Sequence, residues 1–395
     1  MQGSIMDDLT YQDQEDARVL SHKLGLSRRQ MLAATTGMAA AALFGLGSGH
    51  AHASTGAAAA NGAVAAKGGN GVLVPPGKRG IILYTVRDAI SRNPLTTDPS
   101  LPSGFKAVLE QLAKIGYKQI EFAGYTQNSN SPGGNVDNVD GAHLLRKWLD
   151  DYGLEGEGNH GSIPSTITDA TIAQFDAQCE IANILGFGHI GTGNDPTRSA
   201  YLADWQIAAD VWNFFGQRAA SHGLKLYTHN HDAAYSFLLD TGAPDELGRP
   251  TASTGLRRLE WFLQNTDPAY VYLEMDIYWA HVAQHRFPTF TAADGTVVSR
   301  PFDPAGLVAA QTTRFPLFHA KDGAARPDLS AGYTIVPFGQ GNIDFKSFFQ
   351  RIGAKGYHNS MYEQDNANSV PAPASASLSM LNAASSYAHM ASLRG

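Results

Sequence analysis

Residues 222–232, HGLKLYTHNHD, hold the unit on which the fold turns. A helix closes on Gly223, an apolar run follows, and the run ends in polar residues with two histidines, His229 and His231. Glycine supplies the left-handed backbone that a helix C-cap needs. Positions two apart in an extended strand share a face, so both imidazoles lie on one side of a strand end. The same order of short apolar strand, polar tip and helical stretch recurs along the chain. Strand candidates are 79–88, 117–125, 154–162, 187–193, 224–232, 271–279, 315–323 and 357–366. Between them lie amphipathic segments such as GFKAVLEQLAKIG (104–116), with Phe105, Val108, Leu109 and Leu112 on one stripe. Gly116, Gly153, Gly186 and Gly356 repeat the helix stop seen at Gly223.

Strands alternating with helices imply a parallel sheet, and eight such units imply a single closed (β/α)8 TIM barrel rather than an open doubly wound sheet. No G-x-G-x-x-G or G-x-x-x-x-G-K-[ST] follows the first strand, which removes the dinucleotide and P-loop readings. Two connections, 236–255 and 285–304, are longer than a barrel turn requires. Both follow strand C-termini, on the rim where barrel loops build active sites, and suit lids, substrate walls or plain insertions alike.

The N-terminal part has another purpose. Residues 27–53, SRRQMLAATTGMAAAALFGLGSGHAHA, run from Arg28 and Arg29 through a small-residue apolar stretch to Ala51-His52-Ala53. This is the layout of a signal peptide with an A-x-A cleavage site on the twin-arginine export route. The stretch from Met31 to Leu46 is short, alanine-rich and interrupted by glycine, which disfavours an uncleaved membrane anchor. The expected organisation is therefore a signal region (1–53), a flexible Ala/Gly linker (54–76) and the barrel (77–395). The twin-arginine machinery becomes an expected partner, and the destination is periplasmic or extracellular. A net charge of −7 without a basic run argues against nucleic acid. The lone Cys179 excludes an intramolecular disulfide, and no other segment is apolar enough to span a bilayer.

Strand parity locates the chemistry. At a barrel mouth, alternate residues of each strand tip face the pocket. His229 and His231 share a face, as do Glu274 and Asp276, His319 and Lys321, and Glu363 and Asp365. Leu273, Met275 and Phe318 then pack outward against helices. The second strand adds Glu121, the third His160 and the first Tyr84. Buried carboxylates and imidazoles left unpaired cost several kcal/mol each, on the order of 2–7 for a neutral polar group. A divalent cation removes that cost. Metal ligands are expected at His229, Asp276, His319 and Glu363, with Glu274 orienting a ligand. Mixed N/O ligation suits one Mn²⁺, Co²⁺, Zn²⁺, Fe²⁺ or Mg²⁺ ion better than Ca²⁺. Catalytic candidates are His231, Lys321 and Glu121, and substrate contacts are expected from Tyr84, His160 and Trp279, the last as a wall for a sugar ring. His281 and His285, four apart after the sixth strand, are expected as pocket or rim residues.

The motifs ILYTVRD (82–88), GYKQIEFAGY (116–125), THNHD (228–232), EMDIYWA (274–280), HAKDG (319–323), GQGNIDF (339–345) and YEQDN (362–366) carry a resemblance. In this order, over about residues 79–385, they resemble the xylose isomerase-like barrels known as sugar phosphate isomerases/epimerases. The H-N-H-D fifth strand is similar to exported members near inosose dehydratases and 3-keto-sugar lyases or hydratases. The resemblance implies one divalent metal held by strands five to eight, most often through Glu, Asp, His and Glu; here these fall on His229, Asp276, His319 and Glu363. A histidine thus stands where the family's usual glutamate, also a catalytic acid/base in its epimerases, is expected. Trp279 stands where a further histidine would follow Asp276. Both departures point from strict ketose epimerisation towards lyase or hydratase chemistry.

Such a site supports proton abstraction next to a carbonyl through a metal-stabilised enediolate. Proton return isomerises or epimerises; loss of a β-oxygen eliminates. Export and the lack of a phosphate cradle favour a small non-phosphorylated sugar, cyclitol or keto-glycoside. An endonuclease-type hydrolase would need three metals and a basic groove. A non-catalytic carbohydrate-binding barrel would keep aromatic walls with a broken ligand set. The sequence sets neither the oligomeric state nor the substrate.

Overall fold

The computed structural model describes residues 71–353, 357–369 and 374–395; the export signal, the linker up to residue 70 and Gly356 lie outside the described residues. Eight parallel strands form one sheet: β1 (Arg79–Ile82), β2 (Gln119–Phe122), β3 (Glu155–Asn159), β4 (His189–Thr192), β5 (Lys225–Thr228), β6 (Val271–Asp276), β7 (Leu317–Ala320) and β8 (Asn359–Tyr362). Their order is β3-β2-β1-β8-β7-β6-β5-β4. Each lies inside one of the expected strand segments. The ladders are four to six residues long, so most of the polar tips fall in the loops beyond them.

β3 and β4 meet only through a parallel bridge between His160 and Gly191, which leaves the TIM-barrel-like sheet nearly closed. Sequence explains that seam. β3 reads EGEGN, and a register shift between Ile120 and Glu121 displaces it against β2. Gly158, with Gly191, makes room inside the barrel for the fully buried Tyr227, while Gly156 lies against Phe187; a Cβ at Gly191 would collide with the Tyr227 ring and carbonyl. Tyr227, Leu317 and Met361 form the packed floor beneath the mouth.

The outer layer follows the expected pattern. The helix Gly104–Ile115 buries Phe105, Val108, Leu109 and Leu112, and Gly116 stops it at φ 119°. Any other residue at Gly116 would also strike the Tyr387 ring of the C-terminal helix Leu378–Ser392. One expectation changes: the helix Phe345–Ile352 stops at Gly353, φ 68°, three residues before Gly356. Its apolar face, Phe345, Phe348, Phe349 and Ile352, ends there, and Phe318 packs outward against Phe348 and Phe349. At the other end, residues 71–76, placed in the linker by composition, include buried Leu73 and Val74. Leu73 donates to the Leu393 carbonyl at 3.3 Å, and Val72 bridges Arg394.

The two long connections fold against each other. The first folds back through bridges Phe237–Arg257 and Thr241–Ala252, and the second forms a ribbon of Thr289–Thr291 with Val297–Ser299. Ser253 donates to the Thr291 carbonyl at 3.0 Å, joining them. Buried Arg257 secures the corner, donating to the carbonyls of Tyr235 at 2.6 Å and Phe287 at 3.1 Å while lying 4.2 Å from the Phe237 ring centre. A second ribbon, Asp322–Ala325 with Tyr333–Val336, follows β7. Apart from the end of the 315–323 candidate, the ribbon has no counterpart among the expected strands, because short two-stranded ribbons carry little periodicity.

Candidate metal and catalytic site

The tips of β5 to β8 converge. His229, Asp276, His319 and Glu363 are all buried, and one donor atom from each lies within 4.8 Å of the others. His229 presents Nε2 to Asp276 Oδ2 at 3.7 Å, and His319 presents Nδ1 to Glu363 Oε2 at 2.7 Å. The opposite ring nitrogens face a second, deeper pair of carboxylates. His229 Nδ1 lies 3.4 Å from Glu274 Oε2; His319 Nε2 lies 3.1 Å from the same oxygen and 2.9 Å from Glu121 Oε2. His160 Nε2 completes the deep group at 2.8 Å from Glu274 Oε2. His160, His229, Glu274 and His319 thus form a second set of matching size.

The two sets differ in character. In the deep one, three imidazoles close on a single carboxylate oxygen, the arrangement by which a carboxylate fixes the tautomer and tilt of metal-ligating histidines. Above it, Asp276 and Glu363 face Lys321, whose Nζ lies 2.9 Å from Asp276 Oδ2, 2.6 Å from Glu363 Oε2 and 3.2 Å from Asp365 Oδ2. Burial pushes Asp276 up to about 6 against the pull of the Lys321 ammonium. Burial also works to raise Glu274 and Glu363, but neighbouring imidazoles, and for Glu363 chiefly Lys321, hold both well below the usual carboxylate range. His319 is raised despite burial by Glu274 and Glu363, whereas burial drives His229 well below the usual imidazole range.

The residues present fit a divalent cation. His229 Nδ1, Glu274 Oε1 and Asp276 Oδ2 are buried without a hydrogen-bond partner, the last despite Lys321 nearby. Donor atoms about 2.1 Å from a cation stand about 4.2 Å apart at most. The upper set, within 4.8 Å, needs a contraction of only a few tenths of an ångström.

The remaining expected residues fall in three places. His231 lies at the mouth with its side chain 43 % exposed; its ring centre is 5.4 Å from that of His229 and 5.5 Å from that of Trp279. Its backbone N–H donates to Asp195 Oδ1 at 2.8 Å, and burial with the nearby Lys321 charge lowers its imidazole to about 4. Trp279 forms the adjoining wall, 5.6 Å from Lys321 Nζ, with its backbone N–H donated to Asp276 Oδ1. Glu121 and His160 lie deeper. Both Glu121 oxygens are engaged, by Tyr227 and by His319, so this fully buried carboxylate acts on the mouth only through the imidazole above it. His160 stacks on His319 at 5.0 Å. Tyr84 stands apart, lining a cavity of about 580 Å³ beside the mouth. His281 and His285 pack on Tyr333, outside both sets.

Sequence reading did not single out Tyr227, Asp195 or that cavity. Asp195 follows β4 in GTGND, at the same tip level as the other polar residues, and parity applied to that strand would have found it. The role of Tyr227 depends on its glycine neighbours across the barrel, which no local pattern reveals.

A family model described as xylose isomerase-like TIM barrel matches residues 109–384. Among solved structures, a sugar phosphate isomerase/epimerase from Parabacteroides distasonis superposes with a TM-score of 0.57 at 21 % identity, covering 80 % of this chain and 96 % of its own. A second sugar phosphate isomerase/epimerase from that organism gives 0.54 at 19 %, covering 78 % and 96 %. A probable 3-DHS dehydratase from Bacillus anthracis gives 0.50 at 13 %, covering 79 % and 97 %. At these identities the likeness establishes the fold. No curated protein matches the sequence significantly.

Proposed function

The chain belongs to the xylose isomerase-like TIM barrel family, and from that premise we propose that it is a metal-dependent isomerase or epimerase of a non-phosphorylated sugar or cyclitol. The observation that carries this reading is the meeting of His229, Asp276, His319 and Glu363 within 4.8 Å at the mouth. Solved relatives named as isomerases/epimerases and as a dehydratase support the broad class. One divalent ion held by these four residues would polarise a substrate carbonyl and stabilise the charge of an enediolate. Glu274 and Glu121 hold the two imidazoles from below. Lys321 offers its ammonium to a substrate oxygen, and His231, at the open edge, is placed to take a proton from carbon. Trp279 supplies the apolar face on which a sugar ring rests.

Elimination, by a lyase or hydratase acting on a 3-keto-glycoside or inosose, is the second reading. It is favoured by the imidazole at the β5 tip, where a two-carboxylate epimerase needs a second acid/base. Metal analysis of the purified protein and deuterium wash-in from D₂O with keto-sugars and 3-keto-glycosides test both readings. Metal-dependent exchange at one carbon is the expected result, and the product distinguishes the two. Absence of metal together with absence of exchange would leave a carbohydrate-binding barrel instead. The twin-arginine pattern at 27–53 supports export to the periplasm or beyond, and cell fractionation with N-terminal sequencing of the mature chain tests it.

A further inference from the structure

We propose that the cavity beside the mouth is a second binding site, for the aglycone ring of a glycoside, so that the substrate has two rings rather than one. This rests on the strand-tip cluster being the reacting centre. The cavity, about 580 Å³, lies in the range of about 300–1,000 Å³ typical of small-molecule sites. It is walled by the segments after β1, β2 and β8, and none of His229, Asp276, His319 or Glu363 lines it. A single ring with two oxygens at that cluster would leave this space unfilled.

Continuity comes from Asp365. Its side chain lines the cavity while Oδ2 lies 3.2 Å from Lys321 Nζ, which in turn reaches Glu363 at 2.6 Å. Asp365 therefore borders both the cluster and the cavity.

The lining defines the ligand. Tyr84, 40 % exposed, supplies a ring of the kind that packs on a sugar or an aromatic group, and buried Phe105 lines the space without exposing a ring face. Among the described residues Arg87 is the one cation lining the space; its guanidinium donates to the carbonyls of Tyr84 and Asp365, both at 2.7 Å, and stacks 3.9 Å from the Tyr84 ring centre. Two carboxylates, Asp88 and Asp365, line the space against this one guanidinium, a balance that favours a neutral ligand over a phosphate or carboxylate. Two acceptors line the space, Asn368 Oδ1, buried without a partner, and the partly open Asp365, while the Tyr84 hydroxyl can donate or accept. Acceptors beside an aromatic ring suit a neutral ring that donates hydroxyls.

The test uses the metal-loaded chain in two measurements. In calorimetric titration, phenyl β-glucoside should bind at least ten-fold more tightly than glucose. In deuterium exchange, 3-keto-glucose presented as its phenyl glycoside should show a matching gain in kcat/KM over the free keto-sugar. Ala123→Trp, which places an indole in the cavity from an exposed position, should bring both ratios near one with metal content retained. Asn368→Ala should lower them less and serves if the first variant misfolds. Equal binding of the two ligands, or a preference that survives both variants, overturns the proposal. Lack of exchange with every sugar would instead defeat the reacting-centre reading, and the calorimetric ratio would still decide the cavity.

Discussion

The two sides of the same imidazoles make the most instructive contrast in this molecule. Above, His229 and His319 face Asp276 and Glu363, which share the Lys321 ammonium at the mouth. Below, the same rings face Glu274 and Glu121, both fully buried, with Tyr227 under them. The residue types are nearly identical, so composition cannot separate the sides. Access and partners do. The lower carboxylates face imidazoles and a phenol and orient the rings; the upper pair also meets the buried Lys321 ammonium, with Asp276 Oδ2 between it and His229. A ligand set is thus distinguished from its support by its place at the mouth and by the ammonium it shares.

Four substitutions probe the difference between the two sides. The largest effect belongs to the upper side: Asp276→Ala should remove both bound metal, measured by elemental analysis, and turnover. Activity retained in that variant would sink the ligand assignment. Lys321→Met should separate the two quantities, leaving metal content intact while kcat falls by about 10²–10⁴-fold, the scale of a lost proton-transfer or charge-stabilising group. Glu274→Gln keeps the volume but not the charge below the rings. Metal affinity should drop about 10–100-fold, with activity recovering at high metal concentration; an unchanged titration curve would show that the deep carboxylate orients nothing.

The smallest effect lies on the helical layer and serves as a reference. Asp176 pairs with Arg218 and His222, and the Arg218 hydrogen bonds hold its carboxyl down at about 2. The unfolded value is higher, so this pair stabilises the fold above the ordinary carboxylate range and loses its effect as pH falls through about 2. Asp176→Asn should therefore cost less than about 1 kcal/mol at neutral pH in denaturant melts, with the difference from wild type vanishing in acid.

Much of this was legible in the residues themselves. Alternation in EMD placed Glu274 and Asp276 on one face with Leu273 and Met275 opposite, and the glycine stops at 116, 153 and 186 set where helices give way to strands. Period and cap are local properties, and local properties survive in a single sequence. Depth is not local. Parity put Glu121 and His160 towards the pocket, yet how far down they sit depends on the Tyr227 ring and on the displaced register of β3. The cavity at Tyr84 was hidden for the same reason, since its walls come from three segments that only closure brings together. Gly353 rather than Gly356 ends its helix because the stripe of phenylalanines runs out first.

The thin contact between β3 and β4 has a consequence for motion. Amide protons on either side of that seam have one bridge and a neighbouring Gly161–Gly191 hydrogen bond at 2.8 Å to protect them, whereas every other strand is laddered on both flanks. The barrel should breathe there first, exchanging with solvent well before the staves at β1 and β8. His160 rides on that edge, so each opening tugs at the imidazole pressed against Glu274, and the wall's loosest joint is coupled to the stiffness of the pocket.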